Sequence, residues 1–156
     1  MGVLEDHIWV LCIPKGYSCS MHTVQRSFRL SQTTCDLLDA RARAVNESRN
    51  SLVERLLAEA LRTEPHPLIT FRMGAAGRRE PLLIGTRILV RQVMPIVRAD
   101  GLDQAAQALD LPARLVQAAV AYYADFQDEV DADIAWAAEM EALERARWER
   151  QQAAYA

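Results

Sequence analysis

Lysine is almost missing from this chain: Lys15 is the only one among 18 basic residues. An all-arginine set suits bidentate phosphate and guanine contacts, although a GC-rich coding bias has the same effect and the bias alone carries little weight. Cysteine is scarce too. Cys12, Cys19 and Cys35 show no C-x-x-C spacing, and His7, His22 and His66 are scattered, so no metal and no other cofactor is expected. Long apolar runs are absent: residues 7–13 form the longest, too short for a bilayer and without a basic leader, which predicts a cytoplasmic protein with no membrane partner. No nucleophile stands beside a base, and no histidine has a carboxylate at a recurring spacing, so the chain is not expected to be an enzyme. The turn Gly74-Ala75-Ala76-Gly77 lacks the lysine and Ser/Thr of a phosphate loop.

What is present is a chain with 51% hydrophobic residues, which excludes wholesale disorder, and 156 positions, enough for one domain or two small ones. Its net charge of −3 is unevenly spread. Residues 22–66 carry seven Arg and six acids, residues 67–124 seven Arg and four acids, and residues 125–156 three Arg and nine acids. The reading is two small domains and an acidic tail.

Residues 24–30 alternate with period two, placing Phe28 and Leu30 on one face and Gln25, Ser27 and Arg29 on the other. Such a short strand, with no partner nearby in the chain, is expected to pair antiparallel with its copy in a second molecule. A two-stranded ribbon fits the major groove, and Gln25, Ser27 and Arg29 have the chemistry to read bases there. Ser31 stands where a helix cap belongs, and Cys35, Leu38, Ala42 and Val45 recur at helical spacing, predicting a helix over residues 32–45. Asn46 suits a left-handed turn, and Ser48 caps a second helix whose apolar face is Leu52, Val53, Leu56, Leu57, Ala60 and Leu61. That helix ends before Pro65. Its first turn offers Ser48, Arg49, Asn50 and Ser51 beside free backbone N–H groups, a set suited to gripping phosphate.

Residues 25–62, with the strand ending Arg29-Leu30-Ser31 and the turn Asn46-Glu47-Ser48-Arg49-Asn50-Ser51, resemble the ribbon-helix-helix family of small repressors and antitoxins (CopG/Arc-like, VapB-like). Arg26 departs from it, falling at an inward-facing position where an apolar residue is usual. Chains of that family usually begin just before the strand. Residues 1–20 are therefore expected to be a non-native or disordered extension, with Met21 the native start, and residues 21–64 the DNA-binding and dimerisation domain.

Pro65, His66 and Pro67 mark a boundary. Beyond it Ile69, Phe71 and Met73 alternate like a strand, residues 74–79 form a Gly- and Arg-rich turn, and residues 82–84 resemble a second strand. A tight glycine turn at Gly85 leads to a helix over residues 90–99, broken at Gly101. Residues 102–123 have the pattern of a helix-turn-helix: Ala106 at the close contact, Asp110 in the turn, Leu111 and Val116 buried, and Pro112 at the first helical position. If this pair entered DNA, Arg114 and Gln117 would be its secondary contacts; the duller alternative is a packing and dimerisation module. The run Ile84-Gly85-Thr86-Arg87-Ile88, with Val90 and the later Ala121-Tyr122-Tyr123-Ala124, resembles a small antitoxin domain over residues 67–124. That resemblance implies a PIN-like ribonuclease toxin as partner. The chain departs from it at residues 71–81, so no function of that loop is carried over.

Residues 125–156 form the acidic tail, and residues 130–156 contain no Gly or Pro and are helical by propensity. Trp136, Met140 and Leu143 share a face, with Trp148 and Tyr155 on its flank. The functional expectation is an amphipathic helix laid into a toxin, using Trp136, Met140, Leu143, Arg145, Arg147 and Trp148, with Asp128, Glu129, Asp131 and Asp133 facing a basic surface. The alternative is a terminal helix docking on its own dimer.

The fold class expected is mainly α: a ribbon-helix-helix with one intermolecular strand and two helices per chain, a small helix-turn-helix-like domain, and a long C-terminal helix. The function expected is an antitoxin that neutralises a PIN-like toxin and represses its own operon as a homodimer, or dimer of dimers, on double-stranded operator DNA. The rivals are a stand-alone ribbon-helix-helix repressor, and a protein-binding scaffold in which the arginine-bearing strand is structural.

Overall fold

The computed structural model describes residues 24–74 and 77–155. The expectations for residues 1–20 and for a start at Met21 lie outside the described residues. Within them the chain is mainly helical, with six helices and one two-stranded sheet.

The first pair, α1 (Gln32–Val45) and α2 (Arg49–Thr63), begins at serine caps. Ser31 Oγ accepts from the Thr34 N–H at 3.2 Å, and Ser48 Oγ from the Ser51 N–H at 3.1 Å. Between the helices Asn46 adopts φ 52°, and the Glu47 N–H donates back to the Ala42 carbonyl at 3.0 Å, a closure available where the residue after a helix turns left-handed. In this unit only Ala42 and Leu52 are buried.

The strand expected at residues 24–30 is not formed in the single chain. The segment has no regular secondary structure and all of it is exposed. Strand geometry needs a neighbour to take up its backbone groups, and the one described sheet is made elsewhere. Of the expected ribbon-helix-helix arrangement, two consecutive helices are present and the ribbon is not.

The sheet is an antiparallel hairpin of β1 (Ile69–Met73) and β2 (Arg79–Leu83), with Ile69 opposite Leu83 and Met73 opposite Arg79. The Gly-Thr-Arg-Ile run that follows is a turn built from its own side chains. Gly85 takes φ 74°, Thr86 Oγ1 donates to the Leu83 carbonyl at 2.9 Å and accepts from the Ile88 N–H at 3.0 Å, and Arg87 is exposed. That turn delivers the chain to α3 (Val90–Asp100), where the Gln92 side chain accepts from the Leu89 N–H at 2.9 Å.

Gly101, at φ 89°, separates α3 from α4 (Leu102–Ala108), and Asp110, at φ 51°, makes the turn before α5 (Ala113–Asp125). Pro112 precedes the first helical residue rather than occupying it. The fully buried small residue in α4 is Ala105, one position before the expected Ala106, which is half-buried, as is Leu111. Ile69, Leu83, Val90, Val93, Met94, Ala105, Leu115, Val116, Ala119 and Tyr122 form one core.

The last element, α6 (Gln127–Ala153), has 27 residues and spans about 40 Å at 1.5 Å per residue. Val130 belongs to the core and Ile134 packs against it, so the first turns of the expected tail are part of the packing of α3, α4, α5 and the hairpin. Beyond Met140 the helix carries Leu143 and Trp148, both exposed. Among the described residues no helix is long and apolar enough to cross a membrane.

Candidate nucleic-acid and protein-binding surfaces

Gln25, Ser27 and Arg29 lie in the irregular segment before α1 and are exposed, as are Phe28 (74%) and Leu30 (52%). The apolar side chains expected to face inward are thus uncovered, and so are Leu37, Leu56, Leu57 and Leu61 on the two helices. With Val24 and Val45, eight large apolar side chains of residues 24–63 are exposed.

The α1–α2 turn gathers Ser48, Arg49, Asn50 and Ser51, all exposed, at the start of α2. Not every group there is available. The Arg49 guanidinium spans Asp39, at 2.6 Å from Nη2 and 2.5 Å from Nε, and the Ser51 hydroxyl donates to Glu47 at 2.9 Å. Glu47 also receives Arg55, whose Nη2 stands 2.8 Å from Oε2. The Arg55 hydrogen bond, followed by that from Ser51, holds the Glu47 carboxyl below the usual carboxylate range. Asp39, Glu47 and Arg55 are the residues of this turn that sequence reasoning missed. Their contacts span eight to ten positions across the helix–helix junction, beyond the reach of single-helix spacing.

From the turn, ion pairs continue to the β-hairpin. Arg55 Nη1 lies 3.8 Å from Glu59 Oε1; Glu59 accepts Arg79 of β2 in a two-point contact at 2.6 and 2.9 Å; and Arg79 Nη2 also donates to the Phe71 carbonyl at 3.0 Å.

Arg114 and Gln117 are exposed on α5, on the side away from buried Leu115, Val116 and Ala119. They are reachable but add only one positive charge.

The acids expected to face a basic partner are mostly turned onto this chain. Arg78 pairs with buried Asp133 and lies over the Trp136 ring at 4.6 Å. Arg98 bonds both Tyr123 and Asp131, the latter at 2.5 Å, and Arg62 reaches Glu129 at 2.9 Å. Asp128 alone of the four is exposed. Two of the three arginines, Arg78 and Arg98, come from the arginine-rich residues 67–124, and the third, Arg62, from α2. Burial raises Asp133 and Glu129 above the carboxylate range, whereas the Arg98 hydrogen bond lowers Asp131. Of the expected toxin contacts, Trp136 and Met140 are half-buried on the body; Leu143, Arg145, Arg147 and Trp148 stand on the projecting half. There Arg145 pairs with Glu141 at 2.7 Å and Arg147 with Glu144 at 3.9 Å, both within the helix.

A further cluster joins α2 to the α5–α6 junction. His66, 8% exposed, places Nε2 at 2.9 Å from Asp125 Oδ2 and meets Tyr122 and Phe126 edge-on. The Tyr122 hydroxyl donates to Glu129 at 3.3 Å, and Arg62 lies over the Phe126 ring at 5.5 Å. His66 therefore does have a carboxylate partner, 59 positions away. Among the described residues no group of three or more His, Cys, Asp or Glu is arranged to hold a metal ion.

Compared with protein-family models, with curated proteins and with solved structures, the chain matches none of them.

Proposed function

We propose that this protein is a homodimeric DNA-binding antitoxin: residues 24–30 of two copies pair as a ribbon that reads operator DNA through Gln25, Ser27 and Arg29, and the projecting half of α6 engages a PIN-like ribonuclease toxin. The observation that carries the reading is the exposure of Phe28, Leu30, Leu37, Leu56, Leu57 and Leu61 on a unit that buries only Ala42 and Leu52. Half a core of this kind is completed by a second copy of itself, and the same pairing would supply residues 24–30 with a strand partner. Ser48 and the first turn of α2 then flank the ribbon as phosphate contacts, with Arg49 exchanging Asp39 for a phosphate oxygen.

The test is binding of the full chain to the DNA upstream of its own coding sequence over a range of salt. Arg29→Ala is expected to flatten sequence preference by roughly 1–3 kcal/mol at the base it reads. Arg49→Ala is expected to weaken binding to all DNA and to reduce the salt slope by about one. Equal binding of wild type and Arg29→Ala to all sequences would remove the base-reading role and favour the scaffold alternative. A stand-alone repressor is the second reading. It is favoured by the contact of Arg78 with the Trp136 ring, which engages one expected anchor within the chain.

A further inference from the structure

The two expected domains are tied by charge as well as by chain. The link starts at Glu47 in the α1–α2 turn, passes to Arg55 and Glu59 on α2, and ends on Arg79 at the start of β2. All four side chains are three-quarters or more buried except Arg79, at 27% exposure. Partial burial shields such pairs from the salt screening that makes surface pairs weak. Both ends are fixed. Glu47 accepts the Ser51 hydroxyl at the first turn of α2, and Arg79 donates to the Phe71 carbonyl of its own hairpin.

The set contains two carboxylates and two guanidiniums, so it contributes no net attraction to DNA. What it does is fix position: a displacement of the hairpin against α2 must break the two-point Arg79–Glu59 contact or drag Glu59, Arg55 and with them Glu47. Glu47 stands next to Ser48, whose side chain caps α2 and whose neighbours offer the phosphate contacts.

We propose that Glu59 and Arg79 are positioning residues for the DNA contact, the β-hairpin bracing the α1–α2 turn through the Glu47–Arg55–Glu59–Arg79 series so that the start of α2 is held ready for phosphate. The inference rests on the DNA-binding reading above. It also has a sign that plain electrostatics does not share. Glu59→Gln removes a negative charge and, by charge alone, strengthens DNA binding; loss of the brace weakens it.

The experiment measures upstream-DNA affinity against salt for full-length wild type, Glu59→Gln, Arg79→Met and the double variant, with amide hydrogen exchange of residues 46–51 measured without DNA. Expected are a loss of about tenfold in affinity for either single variant, little further loss in the double, as for residues acting through one contact, and faster exchange in the turn. The salt slope stays at the wild-type value because no phosphate contact is removed. Arg79→Lys, which keeps the charge and loses the two-point geometry, is expected to fall between wild type and Arg79→Met and serves if Arg79→Met does not fold. Unchanged or tighter binding by Glu59→Gln, or a salt slope that falls by one in Arg79→Met, overturns the proposal, the latter because Arg79 would then itself touch phosphate. If wild type binds no DNA, the DNA reading fails, and unchanged exchange at residues 46–51 in Glu59→Gln separately refutes the brace.

Discussion

Leu57→Ala gives the sharpest test of self-association. Leu57 is 49% exposed in the single chain, and Leu56 and Leu61 of the same helix are exposed with it. Full burial of a leucine side chain is worth about 1.5–3 kcal/mol, so covering the remaining half in a dimer contributes about 1 kcal/mol per copy. A symmetric interface counts the residue twice, giving about 2 kcal/mol per dimer, or about 30-fold in Kd at 1.4 kcal/mol per decade. Sedimentation equilibrium over a wide concentration range reads that change directly. Leu143→Ala is the control: it is exposed to a similar degree, 56%, but on the projecting half of α6, and is expected to leave the dimer constant alone. An unchanged constant for Leu57→Ala, or an equal loss for Leu143→Ala, refutes the assignment of the interface to α1 and α2.

Three further outcomes follow from the packing and the charges. Leu83 is fully buried where β2 meets the helices, so Leu83→Ala is expected to cost about 2–5 kcal/mol in urea unfolding. A side chain at Gly74 would place its Cβ 2.0 Å from Glu80 Oε2, a carboxylate shared by Arg72 and Arg91, so Gly74→Ala is expected to lower the unfolding midpoint by displacing that group. In pH dependence two signs oppose. Burial raises Glu129 and Asp133 in the folded chain, which therefore binds protons that the unfolded chain has released; as pH falls from neutrality through their folded values, both add stability. Glu47 and Asp131 are lowered by their arginines, so their contribution is complete above the ordinary carboxylate range, at about pH 4, and is lost as pH falls through the lowered values. Glu129→Gln is expected to reduce the mildly acidic gain in urea-melt midpoint; an unaltered pH profile would contradict the burial of that carboxyl.

Local chemistry made much of the fold readable. Ser31 and Ser48 fix where α1 and α2 start, Asn46 and Gly101 where helices stop, and the alternation of Ile69, Phe71 and Met73 gave the first hairpin strand. In each case the signal and the structure lie within a few residues of each other. What local pattern does not reach is of another kind. Residues 24–30 alternate like a strand, yet a strand is a relation between two segments and the single chain supplies one. Trp136 shares a face with Leu143 in the helical pattern, but Arg78, 58 positions earlier, decides that Trp136 docks at home. The acids of α6 looked outward because the arginines that claim them, Arg62 on α2, Arg78 just before β2 and Arg98 on α3, lie far away in the sequence. His66 and Asp125 belong to the same class of long-range pair. At the candidate DNA site, residue types and caps were legible, whereas the occupation of Arg49 by Asp39 and the pairing of Arg79 with Glu59 were not.

The antitoxin reading meets its most direct test in the native host, with tagged full-length chain and a version ending at Met140, which keeps Val130 and Ile134 in the core, each purified with whatever it holds. The expected result is a small nuclease-like protein that accompanies the full chain, is absent from the shortened one, and is inhibited when the full chain is added back. Both forms retaining no partner while each binds the upstream DNA would contradict the antitoxin reading and leave a stand-alone repressor.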